Sequence, residues 1–359
     1  MGDVRALLKL TVIVPICNVE DYVAECLESL CAQTLQDVEF LCIDDGSNDR
    51  SGEIADEYAK KDARFRVLHK ANEGHRKTMN LGLREARGEY IGIVESDAFV
   101  NADTFEQLCE TAAATGADIV KANFYNYDAE HGDTFHALLE GCTYHKMCSA
   151  ATEPRLLMTD MFIWTAIYRR SFLEENGISF RGTPSAAHQD IGFYLKTMAL
   201  CRKVYLLPDA YLHYRVSRKD SSVQHTERRI RFYEEFMDYW SFLRRRSREE
   251  QMVGAAAACN MFLRYRKYVW PVLPNWNRYR YLKQAWEDFQ QLQADGFLVE
   301  TYWEPEEWKL LQAFLQHPEQ LYATNDAEQQ EKVFLRKGWL ASLRDSCAVY
   351  LYGAGQVAQ

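Results

Sequence analysis

Short apolar runs that end in acidic or turn-forming residues alternate with stretches of helical spacing through the first third of the chain. Leu10-Thr11-Val12-Ile13-Val14-Pro15 is a β-branched run halted by proline, which predicts a buried first strand. Tyr22, Val23, Cys26, Leu27 and Leu30 then recur at helical spacing, with Asn18 expected as the helix N-cap and Asp21 as its capping-box partner. Phe40-Leu41-Cys42-Ile43 is uninterrupted apolar, as in a strand buried on both faces, and runs straight into Asp44-Asp45-Gly46-Ser47-Asn48-Asp49. Ile54, Ala55 and Tyr58 mark a second helix, and Phe65 to Leu68 a third strand. The polar loop Asn72-Glu73-Gly74-His75-Arg76-Lys77 leads to a helix expected from Thr78 to Arg87, with Gly88 ending it. Tyr90-Ile91-Gly92-Ile93-Val94 is a further strand that also runs into acids, Glu95-Ser96-Asp97, before a helix expected from Ala102 to Thr115. Strand–helix alternation of this kind predicts a right-handed α/β sheet, mainly parallel.

With 359 residues there is room for two domains, and 47% apolar residues is a globular composition. A net charge of −10 argues against a general nucleic-acid binder, because phosphate affinity comes from clustered Lys and Arg. It leaves open an anionic small ligand neutralised by a metal or by local arginines. The ten cysteines contain no CxxC pair, and several fall inside apolar segments, the usage of small buried hydrophobes in a reducing compartment. The N-terminal residues lack a signal-peptide core and no run is long enough for a spanning helix, so a cytoplasmic protein is expected.

Acids at the carboxyl ends of two buried strands change the picture, since open α/β sheets bind ligands there. Glu95 and Asp97 can converge on one hard cation, although a solvated loop or a helix cap would have the same composition. For Asp190, a cap of the helix expected over Ile191 to Leu200 and a catalytic role stand level on sequence alone. His75 is expected to line a loop, and His213, among aromatics, to be packed.

These motifs in order resemble the inverting family 2 glycosyltransferases, which have the GT-A fold. The resemblance rests on Pro15-Ile16-Cys17-Asn18, Asp44-Asp45-Gly46-Ser47-Asn48-Asp49, Asn72-Glu73-Gly74 with Asn80-Leu81-Gly82, Ala86-Arg87-Gly88-Glu89-Tyr90-Ile91 and Glu95-Ser96-Asp97. It extends through the segment from Ile167 to Phe180, His188-Gln189-Asp190 and Tyr211-Leu212-His213-Tyr214-Arg215 to Ser217, covering about residues 10–217. It implies a sugar transferase using a nucleotide diphosphate donor, with UDP expected, in surface polysaccharide or glycoconjugate synthesis. Pro15, Cys17, Asn18, Asp44, Asp45, Gly74, Arg76, Lys77, Asn80 and Ser96 would bind the nucleotide, Asp45 reading the base and Asp44 orienting the loop. Asp97 and Glu95 would hold a divalent metal, Mn²⁺ or Mg²⁺, and Asp190 would be the general base. His188, Gln189, Tyr214 and Arg215 would contact the acceptor (a glycan, a lipid-linked sugar or a protein) or support those that do. The chain departs from the family pattern at Cys17 (commonly a tyrosine that stacks on the base), Met79 (often arginine), Glu95 (usually aspartate) and Ala98 (often an acid). Those departures keep a second reading in play, a sugar-nucleotide-binding module with little or no turnover. A nucleotidyltransferase is disfavoured, because no Gly-rich, Arg-bearing phosphate loop follows the first strand.

The resemblance divides the chain into a GT-A domain over 1–220, with a nucleotide-binding half at 10–125 and an acceptor half at 126–220, and a helical extension over 221–340. In the extension Ile230, Tyr233, Met237 and Trp240 recur at helical spacing. Residues 262–281 are rich in aromatics and bases; an ordinary packing face with snorkelling arginines is expected, and a peripheral membrane contact is the alternative. Residues 341–359 read as the start of a Rossmann-like unit cut short after Gly353-Ala354-Gly355, so that a longer natural protein is expected.

Overall fold

A computed structural model describes residues 8–181, 189–216, 232–269 and 275–319, and the chain divides into two compact units, Met1–Gln224 and His225–Gln359. The segments beginning at Gly182 and Ser217, including His188, Ser217 and Ile230, lie outside the described residues, as does the glycine-rich stretch near the C-terminus. Within 262–281, residues 270–274 are not described and the side chains of 265–278 are not, so the membrane reading of that stretch lies outside as well.

The first unit is built on a ten-stranded mixed sheet whose longest ladders are parallel. Its strands and helices follow in order: β1 (Leu10–Ile16), α1 (Val23–Cys31), β2 (Val38–Asp45), α2 (Ser51–Lys61), β3 (Phe65–Lys70), α3 (His75–Glu85), β4 (Tyr90–Ile93), β5 (Phe99–Val100) and α4 (Thr104–Thr115). Then come β6 (Ile119–Asp128), β7 (Gly132–His136), β8 (Met147–Cys148), β9 (Ala166–Arg169), α5 (Arg170–Glu175), α6 (Gln189–Leu200) and β10 (Val204–Arg215). The strand order is β3-β2-β1-β4-β9-β6-β10-β5, with β7 on β6 and β8 on β10. The chain builds outward from β1 to β2 and β3, then returns to add β4 on the other side of β1, all in parallel. The crevice at such a reversal, beyond the carboxyl ends of the strands, is where α/β sheets bind ligands. The apolar runs form the core as expected: Val12, Ile13, Val14, Phe40, Leu41, Cys42 and Ile43 have no exposed surface.

Pro15 shows how sequence sets this edge. Its register partner in β2 is Ile43, while the β1–β4 ladder stops at Ile13 opposite Ile93. A strand residue's N–H points the same way as that of the residue two before it, so the missing N–H of Pro15 faces beyond the end of β4 and removes no ladder bond.

Two local expectations are corrected. Asn18 does not cap α1, which begins at Val23; Asn18 instead adopts a left-handed φ of 51° and its Oδ1 accepts the Asn48 N–H at 2.8 Å. The third helix spans His75–Glu85, starting and ending earlier than expected, and Gly88 is not its terminator. A Cβ on Gly88 would lie 2.4 Å from the Leu10 carbonyl carbon and the Thr11 nitrogen, so glycine is required by the close pass of two backbones.

The second unit carries α7 (Phe232–Leu243), α8 (Arg248–Val269), α9 (Asn275–Ala294) and α10 (Pro305–Gln316). Val253 and the residues from Ala255 through Leu263 in α8 are buried on every face, and Phe262, Phe289 and Phe314 meet at centroid separations of 5.5–6.0 Å. Among the described residues no helix is long and apolar enough to cross a membrane. The nine cysteines among the described residues are all free thiols, seven of them buried.

Candidate functional site

The acids that end β2 and those that follow β4 lie on either side of β1, at the carboxyl ends of the strands. In the first group, Asp44 ties down the loop after β2: its Oδ1 accepts the Ser47 N–H at 3.0 Å. Its Oδ2 meets His69 Nδ1 at 2.9 Å, and the other ring nitrogen meets Asp56 at 3.0 Å. Burial alone would raise the Asp44 pKa, but hydrogen bonds from Ser47 and His69 outweigh it and hold the carboxyl below its usual value. The bonds to Asp44 and then Asp56 raise the His69 pKa. Gly46 makes the turn possible, with φ of 67° and a Cβ position 2.7 Å from the Asn72 nitrogen.

Asp45 is buried, and its two oxygens accept the N–H groups of Glu73 and Gly74 at 2.9 Å each. Its carboxylate also pairs with Lys70, its register partner on β3. Asp45 therefore anchors the loop that starts α3, a role sequence reading did not give it. Cys17 borders this loop: its Sγ accepts from Asn72 Nδ2 at 3.4 Å and donates to the Asp45 carbonyl at 3.7 Å. Burial, then the charges of Asp45, Asp44 and Asp49, push the Cys17 thiol pKa up, which keeps it protonated. Arg76 is buried in the first turn of α3, and Lys77 stands exposed beside Glu73 at 2.7 Å. The Asn80 amide is engaged with both backbone groups of Phe180.

On the other side of β1, Glu95 faces His75, whose Nε2 is 3.2 Å from one carboxylate oxygen and 3.3 Å from the other. Sequence reading expected His75 only to line a loop; the contact spans 20 positions and leaves no local pattern. Ser96 is buried between the two acids. Arg215 pins the turn that follows: its Nε donates to the Asp97 carbonyl at 3.2 Å and its guanidinium pairs with Glu25. The same guanidinium lies over the rings of Tyr22 and Tyr127, at 5.2 and 4.9 Å. Tyr214, on the opposite face of the strand, stacks on Trp164 at 5.3 Å with planes 7° apart. His213 is packed as expected, between Phe99 and Tyr125, with Asp133 and Asn101 each 2.8 Å from a ring nitrogen.

Asp190 lies in the first turn of α6, one residue inside the helix rather than ahead of it. It keeps part of its surface at solvent, yet enough protein surrounds it that desolvation pushes its pKa up to about 6; the Glu95 charge adds to the rise and His75 opposes it. Asp190, Glu95 and His75 thus form one electrostatic group from three elements. Gln189 begins α6, and its side chain, like all of His188, lies outside the described residues.

Among the described residues no three His, Cys, Asp or Glu side chains converge as a ready-made metal cage. The donor chemistry is compatible with a hard divalent ion: Asp97 and Glu95 are the carboxylates that would hold one, and such ions take one or two carboxylates and draw their remaining ligands from substrate phosphates and water.

The family model "Glycosyl transferase family 2" matches residues 11–177. An uncharacterized glycosyltransferase EpsJ of Bacillus subtilis is 36% identical over 208 residues, 57% of this chain and 60% of that protein. The putative glycosyltransferase EpsH of the same organism is 33% identical over 225 residues, 61% of this chain and 64% of that one. The chain spans 42–64% of these relatives and of the Streptococcus pneumoniae glycosyltransferase GlyG. Among solved structures, S. aureus TarS 1-349 in complex with UDP has a TM-score of 0.67 and 20% identity, covering 90% of this chain and 92% of that one, a likeness of fold. Residues 11–177 therefore match glycosyl transferase family 2, and the relatives that share this stretch carry glycosyltransferase names.

Proposed function

We propose that the protein transfers a sugar from a nucleotide diphosphate donor, a UDP-sugar, to an acceptor hydroxyl with inversion, in the assembly of a surface polysaccharide or glycoconjugate. The observation that carries this reading is Asp190. It is a carboxyl in a helix's first turn, coupled by charge to Glu95 and His75, with a pKa of about 6. A base tuned close to working pH is deprotonated in the cell and still basic enough to take a proton. In the reaction the acceptor oxygen attacks the anomeric carbon as its proton passes to the Asp190 carboxylate. The bond from that carbon to the diphosphate oxygen breaks on the opposite face, and the nucleoside diphosphate leaves with the electron pair. One base and one displacement invert the centre; no covalent sugar–enzyme carboxylate is required.

The other residues serve binding. Asp44 and Asp45 hold the loops at the crevice, Cys17 and Asn18 border the base, and Gly74, Arg76 and Lys77 lie at the start of α3, where helix N–H groups and basic side chains favour a diphosphate. Asp97, with Glu95, would hold a divalent ion that supplies charge neutralisation to the leaving diphosphate. TarS, which shares the fold, was solved with UDP, which makes UDP the nucleotide to try first. A second reading, a binding module without turnover, draws on the engagement of Glu95 by His75 and on the small Cys17 where stacking area is expected.

Calorimetric titration of UDP with and without Mn²⁺, followed by a screen of UDP-sugars for transfer and donor hydrolysis, separates the two. Turnover that Asp190→Asn abolishes while UDP affinity persists supports the enzyme. UDP binding without turnover of any donor supports the module, and no UDP binding overturns both.

A further inference from the structure

Asn80 belongs to a motif, Asn80-Leu81-Gly82, that the donor site leaves without a task. Its Nδ2 donates to the Phe180 carbonyl at 2.9 Å, and its Oδ1 accepts the Phe180 N–H at 2.9 Å. One side chain on α3 thus satisfies both backbone groups of a residue 100 positions later. The Phe180 ring is 2% exposed and stacks on Phe193 with centroids 4.6 Å apart and planes 10° apart. Phe193 lies in α6 on the turn after Asp190, and a residue spaced in this way shares a helix face with it. Lys196 adds a second tie to the same strip of chain by donating to the Ser179 carbonyl at 3.3 Å. Tyr194 fixes the neighbouring face: its hydroxyl donates to the Leu156 carbonyl at 2.8 Å, and the Lys121 ammonium lies 5.2 Å from its ring centre.

We propose that Asn80 is a positioning residue: through Phe180 and Phe193 it sets where Asp190 stands relative to the start of α3. The inference rests on the reading of α3 as the donor-phosphate helix and of α6 as the helix of the base. The same helix that brings His75 to Glu95 then also locates Asp190, so donor side and acceptor side share one rigid reference. Direct donor contact is a different role, and the amide's two polar groups are already matched to a backbone. Small displacements matter here, because a base misplaced by about 1 Å can lower turnover about 100-fold.

The test compares full-length wild type, Asn80→Ala and a control, Arg64→Ala. Arg64 bonds the carbonyls of Cys31, Gln33 and Leu35 at the opposite, amino end of the strands, so its loss costs stability without touching the Asn80–Phe180–Phe193 contacts. Three measurements are made: UDP affinity by calorimetry, turnover with the best donor, and hydrogen exchange of the Gln189–Leu200 amides without ligand. For Asn80→Ala the expected result is a UDP Kd within about twofold of wild type, kcat down about 100-fold, and faster exchange confined to α6 by about tenfold. Arg64→Ala should keep kcat near wild type. A UDP Kd weakened about tenfold in Asn80→Ala would make Asn80 a donor contact and overturn the proposal, as would unchanged α6 exchange. If wild type turns over no donor, the functional reading fails, and the α6 exchange result still decides whether Asn80 holds that helix in place.

Discussion

The Asp190 carboxyl has a pKa of about 6 in the folded protein against 3.8 for an ordinary aspartate, with desolvation the largest cause. Proton binding and folding are linked, so the difference has a sign and a size. Below pH 3.8 the group is protonated in both states and costs nothing. Between 3.8 and about 6 the unfolded chain has lost its proton while the folded protein keeps it, and stability falls as pH rises through that window. Above about 6 the folded protein carries a desolvated charge at a constant cost. At about 1.4 kcal/mol per tenfold change in proton affinity, that cost is about 3 kcal/mol. Asparagine has nearly the same shape and never ionises. Asp190→Asn should therefore match wild type at pH 4 and exceed it by up to about 3 kcal/mol at pH 8, which for a unit of this size is roughly 6–12 °C in Tm. Urea unfolding of both proteins at the two pH values measures it, alongside a transfer assay in which the variant is inactive. A variant no more stable than wild type at pH 8, or stabilised equally at both pH values, would refute the desolvation argument for this carboxyl. Inactivity combined with a pH-dependent gain is the signature of a group kept for chemistry at the expense of the fold.

Three further outcomes follow from the geometry. The kcat/KM of wild type should fall as pH drops below about 6, because Asp190 must be ionised to accept the proton; a kcat/KM flat from pH 5 to 8 removes it as the base. His69, whose folded pKa is raised by Asp44 and Asp56, stabilises fully below its unfolded value of 6.5 and loses that contribution as pH rises through the folded pKa. His69→Ala should accordingly destabilise more at pH 6 than at pH 9 in thermal melts, and a pH-independent loss would contradict the pairing. Gly88→Ala should destabilise by about 3 kcal/mol or abolish soluble expression, since the added methyl meets backbone that cannot move aside; near wild-type stability would disprove the close pass.

The sequence carries clear marks of the sheet and its acidic edge, and the reason is local. An apolar run that stops at Asp44-Asp45, or at Glu95-Ser96-Asp97, states both burial and the point where burial ends. What sequence did not yield depends on pairing across distance. Asn18 has the composition of a helix cap, but its partner is the backbone of Asn48, delivered by the β1–β2 register rather than by helical spacing. The early start of α3 has the same origin. Its entry is held by the Asp45 carboxylate 28 and 29 positions away, so no cap appears next to it in the chain. Lys70 and His69 were within reach of sequence reasoning. Once β2 and β3 are taken as parallel neighbours in register, the last two residues of β3 fall opposite Asp45 and Asp44. The Asn80–Phe180 bond joins residues 100 positions apart and has no short-range trace.

Pro15 has a consequence for how the crevice is kept open. To zip one rung further, β1 would need an N–H at position 15 to offer to β4, and the pyrrolidine ring has none. The two strands part after Ile13 and Ile93, and the chain beyond β4 is released into the Glu95–Asp97 turn. A covalent ring therefore wedges the cleft, with no ligand needed to pry it apart. The parting of the two strands is thus set by the covalent chain during folding, before any ligand arrives.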